Sequence, residues 1–152
     1  CCGNGETFNI PVELFESRYG LQVEQYAFHN EDGGAGEHRG GKGVVLDYRV
    51  TSDEAFFTYA ATRTESKPWA MQGGKEGSNN YAEIHRQDGN VERHHMCTTV
   101  PVIKDEVIRI FTATGGGVGD PAKRSKDKVQ KDIKNGYITV EQANLDYGYK
   151  RE

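Results

Sequence analysis

Cysteine, methionine and tryptophan are scarce in this chain: 152 residues hold three Cys, two Met and one Trp. Three cysteines are too few for a disulfide framework, and Cys1 and Cys2 are adjacent, badly placed to bond each other. A reducing, cytoplasmic setting is the expectation. Long hydrophobic runs are missing too, and nothing approaches the roughly 20 apolar residues of a membrane helix. The opening Cys1-Cys2-Gly3-Asn4-Gly5 has neither the basic nor the apolar region of a secretory leader. Positive charge is not in excess: 19 Lys and Arg stand against 23 Asp and Glu, a formal charge of −4. With no basic stripe, nucleic acid is not an expected partner.

Catalytic signatures are equally thin. Asp47, Asp53 and Glu54 are scattered and make no acid/base pair by spacing, and there is no Gly-x-Ser-x-Gly elbow. Cys97 has no activating context. In His94-His95-Met96-Cys97, a strand would put His95 and Cys97 on one face, but no Cys-x2-Cys or His-x3-His pair accompanies them. We therefore assign no catalytic residue and expect no metal or other cofactor to be bound by this chain alone.

Glycine is what the chain has in abundance, at 19 of 152 residues, against an average of about 7%. The richest stretch is Thr114-Gly115-Gly116-Gly117-Val118-Gly119-Asp120-Pro121. Without Cβ atoms such a loop can approach a partner closely. Two readings follow: an anion cradle opening onto a helix N-terminus, or a backbone-to-backbone packing joint, which we favour. Gly36-Glu37-His38-Arg39-Gly40-Gly41-Lys42-Gly43 nearly spells a P-loop, but Gly43 replaces the Mg²⁺-binding hydroxyl and a strand follows instead of a helix. It reads as an inter-strand turn with Arg39 and Lys42 solvated, Arg39 pairing with Glu31 or Asp32. The candidate substrate- or interface-shaping residues are Arg39, Lys42, Gly115, Gly116, Gly117, Gly119 and Asp120.

Hydrophobic periodicity outlines the elements. Residues 8–16 suggest a short helix or turn with Pro11 in its first turn. Strands are expected at 21–29, 44–50, 55–62, 81–87, 91–99 and 107–114, the second alternating cleanly, with Val44, Leu46, Tyr48 and Val50 on one face. Asp88-Gly89 marks a hairpin. Residues 67–79 form a loop that Trp69 anchors on the core. Two short polar helices end the chain. Ser125 caps the first, which carries Val129 and Ile133. Thr139-Val140-Glu141-Gln142 is a capping box for the second, which Gly148 stops. We expect both to lie on a sheet. The predicted fold is α+β: mainly antiparallel β-sheet, glycine-rich loops and two short C-terminal helices. Residues 1–152 read as one region, β-rich over 1–114, with the glycine loop and helices over 115–152. Because residue 1 is Cys and the chain opens inside a glycine-rich loop, we read it as a fragment, a processed chain or an excised C-terminal region.

Four stretches, in order, resemble the C-terminal part of the hydantoinase B family, which includes the B-type half of 5-oxoprolinase and the large subunits of acetone and acetophenone carboxylases. Asn9-Ile10-Pro11-Val12-Glu13 resembles its NxPVE entry. Asp32-Gly33-Gly34-Ala35-Gly36 through Arg39-Gly40-Gly41-Lys42-Gly43-Val44-Val45 resembles SGGAGxxRGGxGVV. Pro68-Trp69 with Gly73-Gly74-Lys75-Glu76-Gly77 resembles PWGxxGGxxG. The glycine loop, then Asp132-Ile133-Lys134-Asn135-Gly136-Tyr137-Ile138-Thr139 and Tyr147-Gly148, resembles TxGGGGYGDP…DVxxGxVSxEAAxxxYG. Val118 departs from the family's Tyr, and Asp32 from its Ser. The resemblance implies an ATP-dependent cyclic-amide hydrolase in which an A-type partner with an actin-like fold handles ATP and Mg. Phosphorylating an amide or enol oxygen is how ATP would drive ring opening or carboxylation. The B-type part would supply the substrate side, with any divalent metal bound upstream of this region. It implies a hetero-oligomer with an A-type subunit and the upstream B-type segment, acting on a small cyclic amide or ketone. Two alternatives stay open: part of an acetone- or acetophenone-type carboxylase, and a non-catalytic assembly module.

Overall fold

A computed structural model describes residues 10–150. The readings that rest on Cys1, Cys2, Phe8 and Asn9 lie outside the described residues.

The fold is α+β, dominated by antiparallel pairing. Helix α1 (Val12–Tyr19) comes first, with Pro11 at its N-cap rather than inside its first turn, and Gly20 ends it in the left-handed region at φ 59°. Five strands follow one order in space, β1-β2-β7-β4-β5: β1 (Leu21–Phe28), β2 (Val44–Val50), β7 (Val107–Phe111), β4 (Tyr81–His85) and β5 (Val91–His94). The last strand in sequence is thus the middle one in space. The Asp88-Gly89 hairpin joins β4 and β5 as expected, with Gly89 at φ +85°.

One expected strand divides. Residues 91–99 break after His94, and β6 (Cys97–Ile103) leaves the first sheet to pair with β3 (Glu54–Tyr59) in a separate two-stranded sheet. His95 and Met96 form the corner, so His95 and Cys97 do not share a strand face. The main core lies between the sheets: Val50, Ile84 and Ile108 from one meet Val102 from the other, with Leu21, Tyr48, Ala55, Phe57, Val100 and Ile110 packed around them. The alternation in β2 works as read on the Leu46–Tyr48–Val50 side. Its other side is not solvent, because Asp47 is only 4% exposed and takes two hydrogen bonds from Arg109 on β7, 2.8 and 2.6 Å.

The C-terminal helices also depart from expectation. After a single 3-10 turn (Pro121–Lys123) come α2 (Lys126–Lys134) and α3 (Val140–Tyr147). They build a small second core of their own, Val129, Ile138 and Ala143, ringed by Ile133, Tyr147 and Tyr149. Thin apolar stripes suffice because each helix covers the other. Thr139 caps α3 by accepting from the Gln142 N–H at 3.1 Å, whereas the Ser125 side chain makes no cap bond to α2. No described helix is long and apolar enough to cross a membrane.

Candidate functional site

Three glycine-rich segments, residues 32–43, 68–78 and 114–120, converge at one end of the five-stranded sheet. They are poor in large side chains and pack largely by backbone. Gly34 N–H donates to the Gly115 carbonyl at 2.8 Å, and Gly115 N–H to Gly41 at 2.9 Å. Gly117 N–H donates to Lys75 and Gly119 N–H to Met71, while His38 and Val118 exchange both of their bonds at 2.9 Å. A Cβ placed on Gly116 would overlap the Trp69 carbonyl, and one on Gly117 the Ala35 carbonyl. Close approach is the physical reason glycine stands at both positions. Thr114 closes the joint: its hydroxyl accepts from Ser78 N–H at 2.7 Å, and its own N–H donates to the Ser78 hydroxyl.

This geometry decides between the two sequence readings of the loop. The N–H groups of Gly115, Gly117, Val118 and Gly119 already serve backbone carbonyls and cannot cradle a phosphate. Asp120 caps only the three-residue 3-10 turn, accepting from Ala122 N–H at 2.9 Å, so no long helix backs the loop directly. Trp69 does not anchor its loop on the core; it is 62% exposed, with the Arg63 guanidinium 4.3 Å above its ring. Backbone hydrogen bonds of Met71 and Lys75 with Gly117 and Gly119 do the anchoring.

Arg39 and Lys42 are not solvated, and Arg39 does not pair with Glu31 or Asp32. Lys42 takes that role: its ammonium donates to Asp32 at 3.1 Å and to the His29 carbonyl at 3.2 Å, with its side chain 8% exposed. Arg39 turns the other way, toward the C-terminal helices. Its Nε stands 3.3 Å from Asp132 Oδ2 on α2, and its Nη1 donates to the Gly40 carbonyl at 2.6 Å. Arg124 reaches the same Asp132 oxygen at 2.7 Å and donates to the Glu37 carbonyl at 2.8 Å. Two guanidiniums thus share one buried carboxylate. The faces of Tyr137, 5.0 Å from Arg39, and Tyr147, 6.0 Å from Arg124, absorb part of the surplus charge. Burial pushes the Tyr147 phenol above its usual value, against the opposing pull of Arg124 and of a backbone hydrogen bond at Gly36. Lys75 bonds Asp146 on α3 at 2.5 Å, so both helices are clipped to the joint by ion pairs.

On the sheet face away from the core, beside the joint, lie two adjoining hollows of about 290 and 370 Å³ that share Glu31 and Tyr81. Tyr81 stacks on Phe111 at 4.5 Å and carries Arg93 4.2 Å above its ring. Burial and the Glu31 carboxylate raise its phenol, and Arg93 opposes them. His29 is buried between the hollows and the joint. Its Nδ1 accepts from Glu31 N–H at 3.1 Å, which leaves Nε2 to donate to the Thr112 carbonyl at 2.9 Å. The lining can hold a small polar group by hydrogen bonds and mixed charge.

Of the residues singled out in the sequence, Gly115, Gly116, Gly117, Gly119 and Arg39 meet at the joint; Lys42 lies at its edge and Asp120 just beyond it. Asp132, Arg124, Tyr137 and Tyr147 were not singled out as site residues. For Asp132, Tyr137 and Tyr147 the one available signal was their place in the terminal resemblance block. Among the described residues no group of three or more His, Cys, Asp and Glu could hold a metal ion.

The family model described as hydantoinase B/oxoprolinase matches residues 1–121. The caprolactamase subunit beta of Pseudomonas jessenii is 30% identical over 159 residues, covering 97% of this chain and 26% of that protein. The crystal structure of the ATP-dependent caprolactamase from the same organism superposes with a TM-score of 0.73 at 28% identity, over 93% of this chain and 25% of that one. Nucleotide-free acetone carboxylase shares the fold, with a TM-score of 0.69 at 20% identity over 91% of this chain and 22% of its own. The chain spans about a quarter of the length of the curated relatives it matches first.

Proposed function

The chain belongs to the hydantoinase B/oxoprolinase family, and on that premise we propose that it is part of an ATP-dependent cyclic-amide hydrolase of hydantoinase or oxoprolinase type. Within it, the chain shapes the B-type substrate side and the subunit interface through Arg39, Lys42, Gly115, Gly116, Gly117, Gly119 and Asp120. The likeness to a caprolactamase subunit supports the cyclic-amide class, since caprolactam is itself a cyclic amide.

The observation that carries the division of labour is the joint itself. Residues that could have cradled ATP are committed elsewhere: the loop N–H groups to carbonyls, the Lys42 ammonium to Asp32 and His29. They do not fit a triphosphate. In this reading ATP and Mg²⁺ are handled by an A-type partner and any divalent metal by the upstream B-type segment, as the family resemblance implies. The isolated chain is inactive. The ion-paired clips between the joint and the helices also favour a second reading, in which the chain is a non-catalytic assembly module.

The test is ATP turnover by an A-type subunit and the upstream B-type segment, assayed with hydantoin, 5-oxoproline, caprolactam and acetone, with and without this chain. Amide-dependent turnover that needs the chain is expected. Turnover with acetone and bicarbonate alone would move it to the carboxylase branch. Full turnover without the chain would remove the proposal.

A further inference from the structure

The C-terminal helices carry a surface that the joint does not use. A groove of about 650 Å³ runs between α2 and the start and end of α3. Its floor is Ile133, Val140 and Tyr149, and its rim is Asp127, Lys131 and Lys134. The same helix and the turn before it add Lys123, Lys126 and Lys128, all exposed. Among the described residues none of these five lysines has a carboxylate partner. Five lysines against one exposed carboxylate, Asp127, make this face positive on a chain of net charge −4, and it sits beside partly buried apolar side chains.

We propose that this groove docks an acidic, apolar-anchored peptide segment of a partner polypeptide. Charge complementarity selects the occupant: carboxylates reach Lys131 and Lys134 on the rim, while one or two apolar side chains cover Ile133, Val140 and Tyr149. Nucleic acid would profit from the lysines but would be repelled by the acidic remainder of the chain, and has no use for an apolar floor. Exposed lysine contacts are individually weak and salt-screened, so the floor supplies the anchoring and the rim the selectivity. The proposal rests on the assembly reading above only for which partner donates the segment.

The test uses the full 152-residue chain and a fluorescein-labelled 16-residue peptide with Glu and Asp around two Leu/Phe anchors, read by fluorescence anisotropy. Binding is expected to weaken about ten-fold in the double variant Lys131→Gln/Lys134→Gln, with the helical circular-dichroism signal retained at the assay temperature. It should also weaken as salt rises from 50 to 300 mM. An acidic peptide with its anchors changed to Ser should bind at least five-fold more weakly. Equal affinity of the double variant, or of the anchor-less peptide, would overturn the proposal. So would tighter binding of poly-U RNA or of phosphatidylserine vesicles than of the peptide. Because none of these readouts involves ATP turnover, the groove and the proposed enzyme activity can fail separately.

Discussion

Arg39 and Asp132 are 93 positions apart in sequence and meet at 3.3 Å, the guanidinium of the first glycine-rich segment closing on a carboxylate of α2. Arg124 lies 2.7 Å from the same oxygen. The pairing ties the glycine joint to the C-terminal helices. Removing the shared acid leaves two buried cations facing each other, the situation in which breaking a buried pair costs about 3–5 kcal/mol. Asp132→Ala is therefore expected to lower stability by that order in urea unfolding, and a loss below about 1 kcal/mol would count against the latch. In double-mutant cycles Arg39 should couple to Asp132 and not to Asp32.

Gly117 and Gly41 form a matched pair of probes. A Cβ on Gly117 meets the Ala35 carbonyl, whereas one on Gly41 meets nothing within 4 Å. Gly117→Ala should cost at least the roughly 1–3 kcal/mol of ordinary overpacking, because backbone yields less than side chain. Gly117→Val should abolish folding or assembly. Gly41→Ala should be neutral or slightly stabilising. Equal melting temperatures for the two alanine variants would contradict the packing joint.

The two C-terminal caps should behave differently. Thr139 makes its cap bond at 3.1 Å and Ser125 makes none. Thr139→Ala is expected to cost about 1 kcal/mol and Ser125→Ala less than about 0.5 kcal/mol. Thermal unfolding of the two variants ranks them directly, and a larger loss for Ser125→Ala would reverse the assignment.

A pH dependence follows from Glu92. Hydrogen bonds from Arg86 hold its carboxyl below the ordinary value of 4.5, with a smaller contribution from His94. A carboxyl depressed in the folded state adds stability above its unfolded pKa and loses it as pH falls through the folded value. Wild type should melt above Glu92→Gln near neutral pH, and the margin should close toward pH 3. A margin that persists undiminished at pH 3 would show that the charge is not responsible.

Local pattern carried much of the fold. The alternation in Val44–Val50, the Asp88-Gly89 turn and the Thr139 capping box each became the element they announce, since period, turn chemistry and capping act over a few residues. Four sequence blocks in fixed order, three of them glycine-rich, were enough for the family. Trp69 failed as a guide, and Ser125 marked the N-cap of α2 without making the cap bond, because a residue type states what a side chain can do and not where its neighbours stand.

By itself, the sequence determined that glycine must serve close approach, that strands outnumber helices and that the chain resembles one family. Only the tertiary structure decided what each glycine approaches, which carboxylate Arg39 finds, and that the helices cover each other instead of the sheet. The physical reason is range. Backbone conformation and capping are set within a turn or two of chain, but the Arg39–Asp132 pair and the Gly117–Ala35 contact join segments brought together only when the sheets and the helical core have formed.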